Sequence, residues 1–276
     1  MDAFTDWTMA DAARHIAVPR KEDDKYSRGV LGVITGSERY PGAAVIGVEA
    51  ALRTGVGMLR FLGHPTVSEL VLQRRPEAVP AAGLVQAWLI GSGIDSDDTT
   101  ATTDAAITTA LRESVPVVLD GASVRRHAEA AGAVVITPHY RELSRLVASD
   151  AATIAANPAR AAREAADGLG VTVLLKGHIT WVAAPGVLFR VAQAPTWLAT
   201  AGAGDALGGI LGALVATHTV EASTNSAQLA ELAATAALLH GRAATRASAG
   251  GPFTILELCG AIPATVAELL SEQRSR

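Results

Sequence analysis

The 276 residues are 49% hydrophobic and 18% charged, enough apolar side chain to bury a large α/β core and too much for a disordered chain. A net charge of -4 without clustered basic residues argues against a nucleic-acid surface, which needs Lys/Arg patches against phosphate. The single cysteine, Cys259, excludes an internal disulfide framework and suits a reducing compartment, with core filler as its default role.

In chain order, residues 1–20 carry acids where a signal peptide needs bases, and they lack a continuous apolar segment. RKEDDKYSR (20–28) reads as a solvated approach. GVLGVIT (29–35) predicts a buried strand, followed by a helix over 43–54 that Gly55 stops. A strand over 58–62, a helix over 65–73 and a strand over 87–90 come next, the last ending in GSGID (91–95). Helix 99–112, strand 115–119, helix 124–131 and strand 134–136 continue the alternation, and TPH (137–139) closes that last strand. Helices over 141–148 and 158–168 precede a strand at 171–175. Segments 178–184 and 187–191 then flank Pro185-Gly186 as an antiparallel hairpin. The glycine-rich loop ATAGAGDALGGI (199–210) enters an apolar run to Ala216, and helices near 226–248 and 262–272 end the chain. The longest apolar run, 206–216, is too short to span a bilayer. The expectation is one α/β domain over 1–276: a mostly parallel central sheet with helices on both faces, cytoplasmic, binding neither membrane nor nucleic acid.

In such a sheet, ligands gather outside the carboxyl ends of the strands. Five polar or glycine-rich loops fall there: GSERYPG (36–42), GSGID, TPH, KGHIT (176–180) and GAGD (202–205). In the last, glycines let the backbone bend and the first N–H groups of the helix face an anion, while Asp205 is placed to take a proton from a hydroxyl approaching it. The plain alternative is a turn capped by a solvated Asp205. Lys176, one of very few lysines, is either a phosphate ligand or a strand-end lysine reaching solvent. His139 reads on sequence alone as a packed loop histidine, and Glu142 as a helix cap. The seven histidines show no metal-ligand spacing, no G-x-S-x-G elbow appears, and GSERYPGA is not a Walker loop. The four tryptophans are scattered and are expected to pack. What remains is phosphate held by loop N–H groups without a P-loop.

Taken in order, GVLGVITGSERYPGAAVIGVEAALRTGVG (29–57), VVITPHYRELSRL (134–146), VLLKGHIT (173–180) and LATAGAGDALGGILGALVA (198–216) resemble the ADP-dependent NAD(P)H-hydrate dehydratases of the ribokinase-like superfamily. The resemblance runs from about residue 20 to the C-terminus and implies a ribokinase-like three-layer αβα sandwich. It also implies ADP-dependent dehydration of the S-epimer of NADHX or NADPHX to NADH or NADPH, with release of AMP and phosphate and with Mg²⁺ as cofactor. By the same resemblance, Lys176, Gly177, His178, Ile179, Thr180 and Gly204 form the nucleotide site, and Ala43, Gly93, His139 and Asp205 belong to the hydrate site. Gly202, Ala203 and Gly204 form the anion hole, Asp205 is the catalytic base, and no metal-ligating residue is assigned. A tetramer, and a separate epimerase acting in the same pathway, are implied as well, since members often carry an N-terminal epimerase domain for which this chain has no room.

The chain departs from the family pattern at four positions. Arg141 stands where the family has Gly before the Glu, and Gly91-Ser92-Gly93 replaces a G-P-G-type loop with Asp95 at a further Gly position. LDGAS (119–123) keeps Asp120 but has Ala122 for a second Asp. These changes bear on the substrate side. An ATP-dependent kinase of a small alcohol shares the superfamily loop and is the competing enzymatic reading, and a nucleotide-sensing relative without turnover is the non-enzymatic one.

Overall fold

The computed structural model describes residues 3–95, 99–192, 194–219, 222 and 225–274. Its centre is a nine-stranded sheet in the order β1-β9-β8-β7-β6-β5-β4-β2-β3. The strands are β1 (Thr5–Asp6), β2 (Val30–Ile34), β3 (Met58–Phe61), β4 (Ala87–Ile90), β5 (Val117–Leu119), β6 (Val134–Ile136), β7 (Thr172–Leu175), β8 (Thr180–Ala184) and β9 (Val187–Val191). From β3 across to β7 every pairing is parallel, and β8 and β9 pair antiparallel as a hairpin.

Short buried runs such as VVL and VVI suit a sheet covered on both faces, where no polar alternation is needed. Alternate residues of each strand feed two separate cores. Leu31, Leu89, Val118, Val135 and Leu174 face one, which is covered by α2 (Pro41–Thr54), α8 (Ala203–Thr217), α9 (Ser226–Ser248) and α10 (Ile255–Arg274). Ile34, Ile90, Leu119, Ile136 and Leu175 face the other, covered by α4 (Ala101–Leu111), α5 (Tyr140–Leu146) and α7 (Pro158–Leu169). The result is the three-layer αβα sandwich expected from the sequence.

Several local expectations need correction. The N-terminal stretch supplies β1, which pairs parallel with β9, and α1 (Met9–Ala13), so the hairpin does not form the sheet's edge. Arg190 ties β1 down through both carboxylate oxygens of Asp6 (2.6 and 2.9 Å). The helix expected over 124–131 is a 3-10 helix that starts and ends earlier, over Gly121–Glu129. The last helix starts at Ile255 and carries Pro263 inside it, earlier than the expected 262. Trp7, Trp88 and Trp181 are buried as expected, whereas Trp197 is half-exposed in the 3-10 turn Thr196–Leu198. Cys259 is buried, and its thiol is pushed up to about 12 by burial and the nearby Glu49 charge. Among the described residues, no helix is long and apolar enough to cross a membrane.

Candidate active site

Four consecutive strands of the sheet end in side chains that join one hydrogen-bonded line. Ser92 follows β4, Asp120 follows β5, Thr137 follows β6 and Lys176 follows β7. Asp120 is buried and accepts from Ser92 Oγ (2.9 Å), Thr137 Oγ1 (2.6 Å) and Lys176 Nζ (2.8 Å). Burial alone would raise its carboxyl, but the Lys176 ammonium and these hydrogen bonds hold it below the usual range. Lys176 is the mirror case. Burial opposes its charge, and Asp120, Glu142 and Asp205 together raise it above a free lysine. Lys176 is thus not a strand-end lysine reaching freely into solvent: its ammonium hydrogen-bonds Asp120, and the residue also lines the cavity described next.

Above this line α8 begins. Gly202 is its N-cap with φ of +90°, a conformation that favours glycine, and Asp205 stands in the first turn. A Cβ on Gly204 would lie 3.5 Å from Lys176 Nζ, so the free N–H end of the helix and the lysine face the same space. Burial, then the Asp120 charge, raise the Asp205 carboxyl to about 6 against the opposing pull of Lys176. A carboxylate tuned to that range can take and release a proton near neutral pH.

Two cavities open beside this centre. One, of about 140 Å³, is lined by Lys176, Gly177, Thr180, Ala203 and Gly204 and by an apolar wall. It gathers five of the residues assigned to the nucleotide site and anion hole. His178 and Ile179 sit in the same loop but do not line it. The other, of about 280 Å³, has Gly93, Tyr40, Asp95, Ala122, Arg125 and Arg145 in its lining. Gly93 has φ of +68°, and a Cβ there would come within 2.5 Å of Ala43 Cβ, so the buried Ala43 backs this wall without lining it.

His139 is not a packed histidine. It caps α5, accepting at Nδ1 from the N–H groups of Arg141 (3.1 Å) and Glu142 (3.2 Å), while Glu142 accepts from the His139 N–H (2.8 Å). Glu142 is therefore the cap partner the sequence suggested, and it also reaches to 3.8 Å from Lys176. The departures divide in two. Ser92 supplies a hydrogen bond to Asp120, and Asp95 and Ala122 line the larger cavity, whereas Arg141 lies outside that lining. Sequence reasoning missed His240 on α9, which lines the smaller cavity. It lies in an Ala/Leu-rich helix, where a lone histidine reads as core.

An αβα sheet whose rim carries a glycine-capped helix entry, a raised carboxylate and a paired lysine has the architecture of a ribokinase-like α/β protein. The chain belongs to the NAD(P)H-hydrate dehydratase family, whose model matches residues 31–257. It is 37% identical over 280 residues to the bifunctional NAD(P)H-hydrate repair enzyme Nnr of Mycobacterium leprae (strain TN), covering 96% of this chain and 54% of that protein. It is 34% identical over 249 residues to the ADP-dependent (S)-NAD(P)H-hydrate dehydratase of Neisseria meningitidis serogroup B, covering 83% of this chain and 81% of that protein. The chain thus spans about half the length of the bifunctional relatives it matches. Among solved structures, the ADP/ATP-dependent NAD(P)H-hydrate dehydratase from Bacillus subtilis co-crystallized with ATP/Mg²⁺ shares the fold at a TM-score of 0.84. That match is 24% identical and covers 96% of this chain and 99% of that one.

Proposed function

We propose that this chain dehydrates the S-epimer of NADHX or NADPHX to NADH or NADPH at the expense of ADP, releasing AMP and phosphate. The observation that carries the reading is the Asp205 carboxyl, raised to about 6 in the first turn of α8 beside Gly204 and Lys176. Hydroxide leaves the damaged nicotinamide ring poorly, so the hydroxyl is converted to a better leaving group. Asp205 takes the hydroxyl proton as the oxygen attacks the terminal phosphoryl of ADP, and the bond to the AMP oxygen breaks. The N–H of Gly204 and the Lys176 ammonium steady the transferring charge. The ring nitrogen's electron pair then expels phosphate and restores the reduced nicotinamide.

The smaller cavity takes the nucleotide and the larger one the hydrate. Arg125 and Arg145 line the larger cavity, and neither has an ion-pair partner among the described residues, which suits the phosphates of a dinucleotide. Among the described residues, no group of three His, Cys, Asp or Glu side chains could hold a metal ion. Mg²⁺ binds largely through substrate phosphates with one or two carboxylates. Asp205 and Asp120 are the acids on hand there, and the ion would neutralise charge on the phosphates.

The test is incubation of NADHX with Mg²⁺ and either ADP or ATP, following reduced-nicotinamide absorbance and AMP release. Recovery of absorbance with stoichiometric AMP from ADP is the expected result. No recovery with either nucleotide, together with phosphorylation of a small alcohol by ATP, would replace this reading with the kinase one.

A further inference from the structure

Of the five rim loops, GSERYPG (36–42) has no part in the chemistry above. It nonetheless carries Tyr40, the one aromatic residue among the described residues that lines the larger cavity. Tyr40 is 44% exposed, an aromatic ring left open beside a cavity rather than packed into a core.

Its placement is fixed by backbone and by a cation. The Tyr40 N–H donates to Ser37 O and Ser37 Oγ (3.2 Å each), and its carbonyl accepts from the Ala43 N–H (3.3 Å). Pro41 opens α2 directly after it. An added Cβ on Gly93 would lie 3.0 Å from the Tyr40 carbonyl, so the loop rests on the opposite wall of the same cavity. The Arg39 guanidinium stands over one face of the Tyr40 ring, 5.3 Å from its centroid. Arg39 is outside the cavity lining, so it backs the ring from outside and leaves the other face to the cavity.

Helix α2 relates this ring to the reacting centre. An added Cβ on Gly47 would lie 3.5 Å from the Asp205 carbonyl, and Ala43, one turn earlier, meets Gly93. From Tyr40 to Gly47 the helix rises roughly 10 Å at about 1.5 Å per residue. A tyrosine side chain and one six-membered ring fill that span.

We propose that Tyr40 lies flat against the nicotinamide ring of the hydrate and fixes the plane in which that ring reacts, resting on the assignment of the larger cavity to the hydrate. In the hydrate the N1–C2=C3–carboxamide segment is planar and C6, which bears the oxygen, is tetrahedral. The N1 electron pair stands perpendicular to that plane, so it expels phosphate only when the C6–O bond is near perpendicular as well. The C6–O bond then breaks with its electrons on phosphate, N1=C6 forms, and the C5 proton passes to the released phosphate to give the reduced ring. A ring pressed on one face by Tyr40 presents that bond on the other face, towards the Asp205 end of α2.

The test is calorimetric binding of reduced nicotinamide mononucleotide, ADP-ribose and ADP to the full chain, with steady-state dehydration of NADHX at saturating ADP. Tyr40→Leu is expected to raise the Kd of the reduced mononucleotide about tenfold. It should also lower kcat about tenfold, because a loosely held ring reacts less often. ADP-ribose and ADP affinities should not change. Tyr40→Phe keeps the ring and should restore what Tyr40→Leu loses. A loss that falls on ADP-ribose instead, equal losses in Y40F and Y40L, or wild-type kcat and KM in Y40L overturns the proposal and leaves the dehydratase reading standing. Nuclear Overhauser contacts between the Tyr40 ring, one of three tyrosines, and nicotinamide H2 in the wild type need no variant, and their absence in the bound complex overturns it too. A wild-type chain that neither binds the reduced mononucleotide nor dehydrates NADHX overturns both.

Discussion

Asp205 is held where its charge is costly, and replacing it separates what it does for turnover from what it does to stability. Its carboxyl rises from 3.8 to about 6 on folding, through burial and the Asp120 charge. The folded chain therefore binds this proton more tightly than the unfolded chain, and stability falls as pH rises from about 4 to about 6, with the loss complete above that. At about 1.4 kcal/mol per pH unit, the ionised carboxylate costs the fold up to about 3 kcal/mol at pH 8. Asparagine keeps the shape and carries no charge. Asp205→Asn is accordingly expected to be more stable than wild type by about 1–3 kcal/mol at pH 8, with a gap that closes towards pH 4. Its turnover of NADHX with ADP should drop about 10²–10⁴-fold as the proton acceptor is lost, while ADP binding persists. Wild-type kcat should itself fall with acidity below about pH 6. Urea unfolding at pH 8, 6 and 4, paired with absorbance-based turnover, reads both effects. An Asn variant less stable than wild type at pH 8, a pH-independent gap, or retained turnover would refute the reasoning.

Other perturbations follow from the same contacts. Asp120→Asn leaves Lys176 without its carboxylate partner and should cost about 3–5 kcal/mol in urea unfolding. In whatever fraction stays folded, it should move the acid limb of the pH–rate profile to lower pH, because the charge that raises Asp205 is gone. Glu49 on α2 is fully buried and bound by Arg53, Arg74 and Arg75. Burial would raise its carboxyl, but the hydrogen bonds and charges of Arg75 and Arg53 bring it down to about 2. The stability it gives is whole above about pH 4.5 and lost as pH falls towards 2, so Glu49→Gln should lower the melting temperature at pH 7 and narrow the difference from wild type in acid. Removing Arg125 and Arg145 together should raise KM for the hydrate about tenfold at low salt with kcat little changed and unfolding unaffected. An unchanged KM would take these arginines out of substrate binding.

The parts of this fold legible in the sequence were those encoded by contiguous residues. Runs such as VVL and VVI declare buried strands because both faces are apolar. The GAGD turn declares a helix entry because its glycines and first-turn acid are adjacent. Where partners lie far apart, the sequence left alternatives or nothing. Lys176 could not be settled because Asp120 is 56 residues away and is brought to it only by the parallel order of β5, β6 and β7. β1 is two exposed residues whose anchor, Arg190, is 184 positions distant, so no local pattern marks it. His139 carries its cap on a ring nitrogen, a role usually filled by Ser, Thr, Asp or Asn, and its type therefore pointed elsewhere.

The strand ends also explain why no rim loop can be judged by itself. Lys176 stands among three carboxylates, Asp120, Glu142 and Asp205, and its direct hydrogen bond goes to Asp120, so Asp205 receives only the lysine's longer-range pull. That unequal sharing lets Asp205 rise to about 6 while Asp120 stays below the ordinary range. Ser92 and Thr137 reinforce the inequality by donating to Asp120. The Asp205 carboxyl at the mouth of α8 is therefore coupled to side chains that follow β4, β5, β6 and β7, and Ser92 reaches it through its hydrogen bond to Asp120.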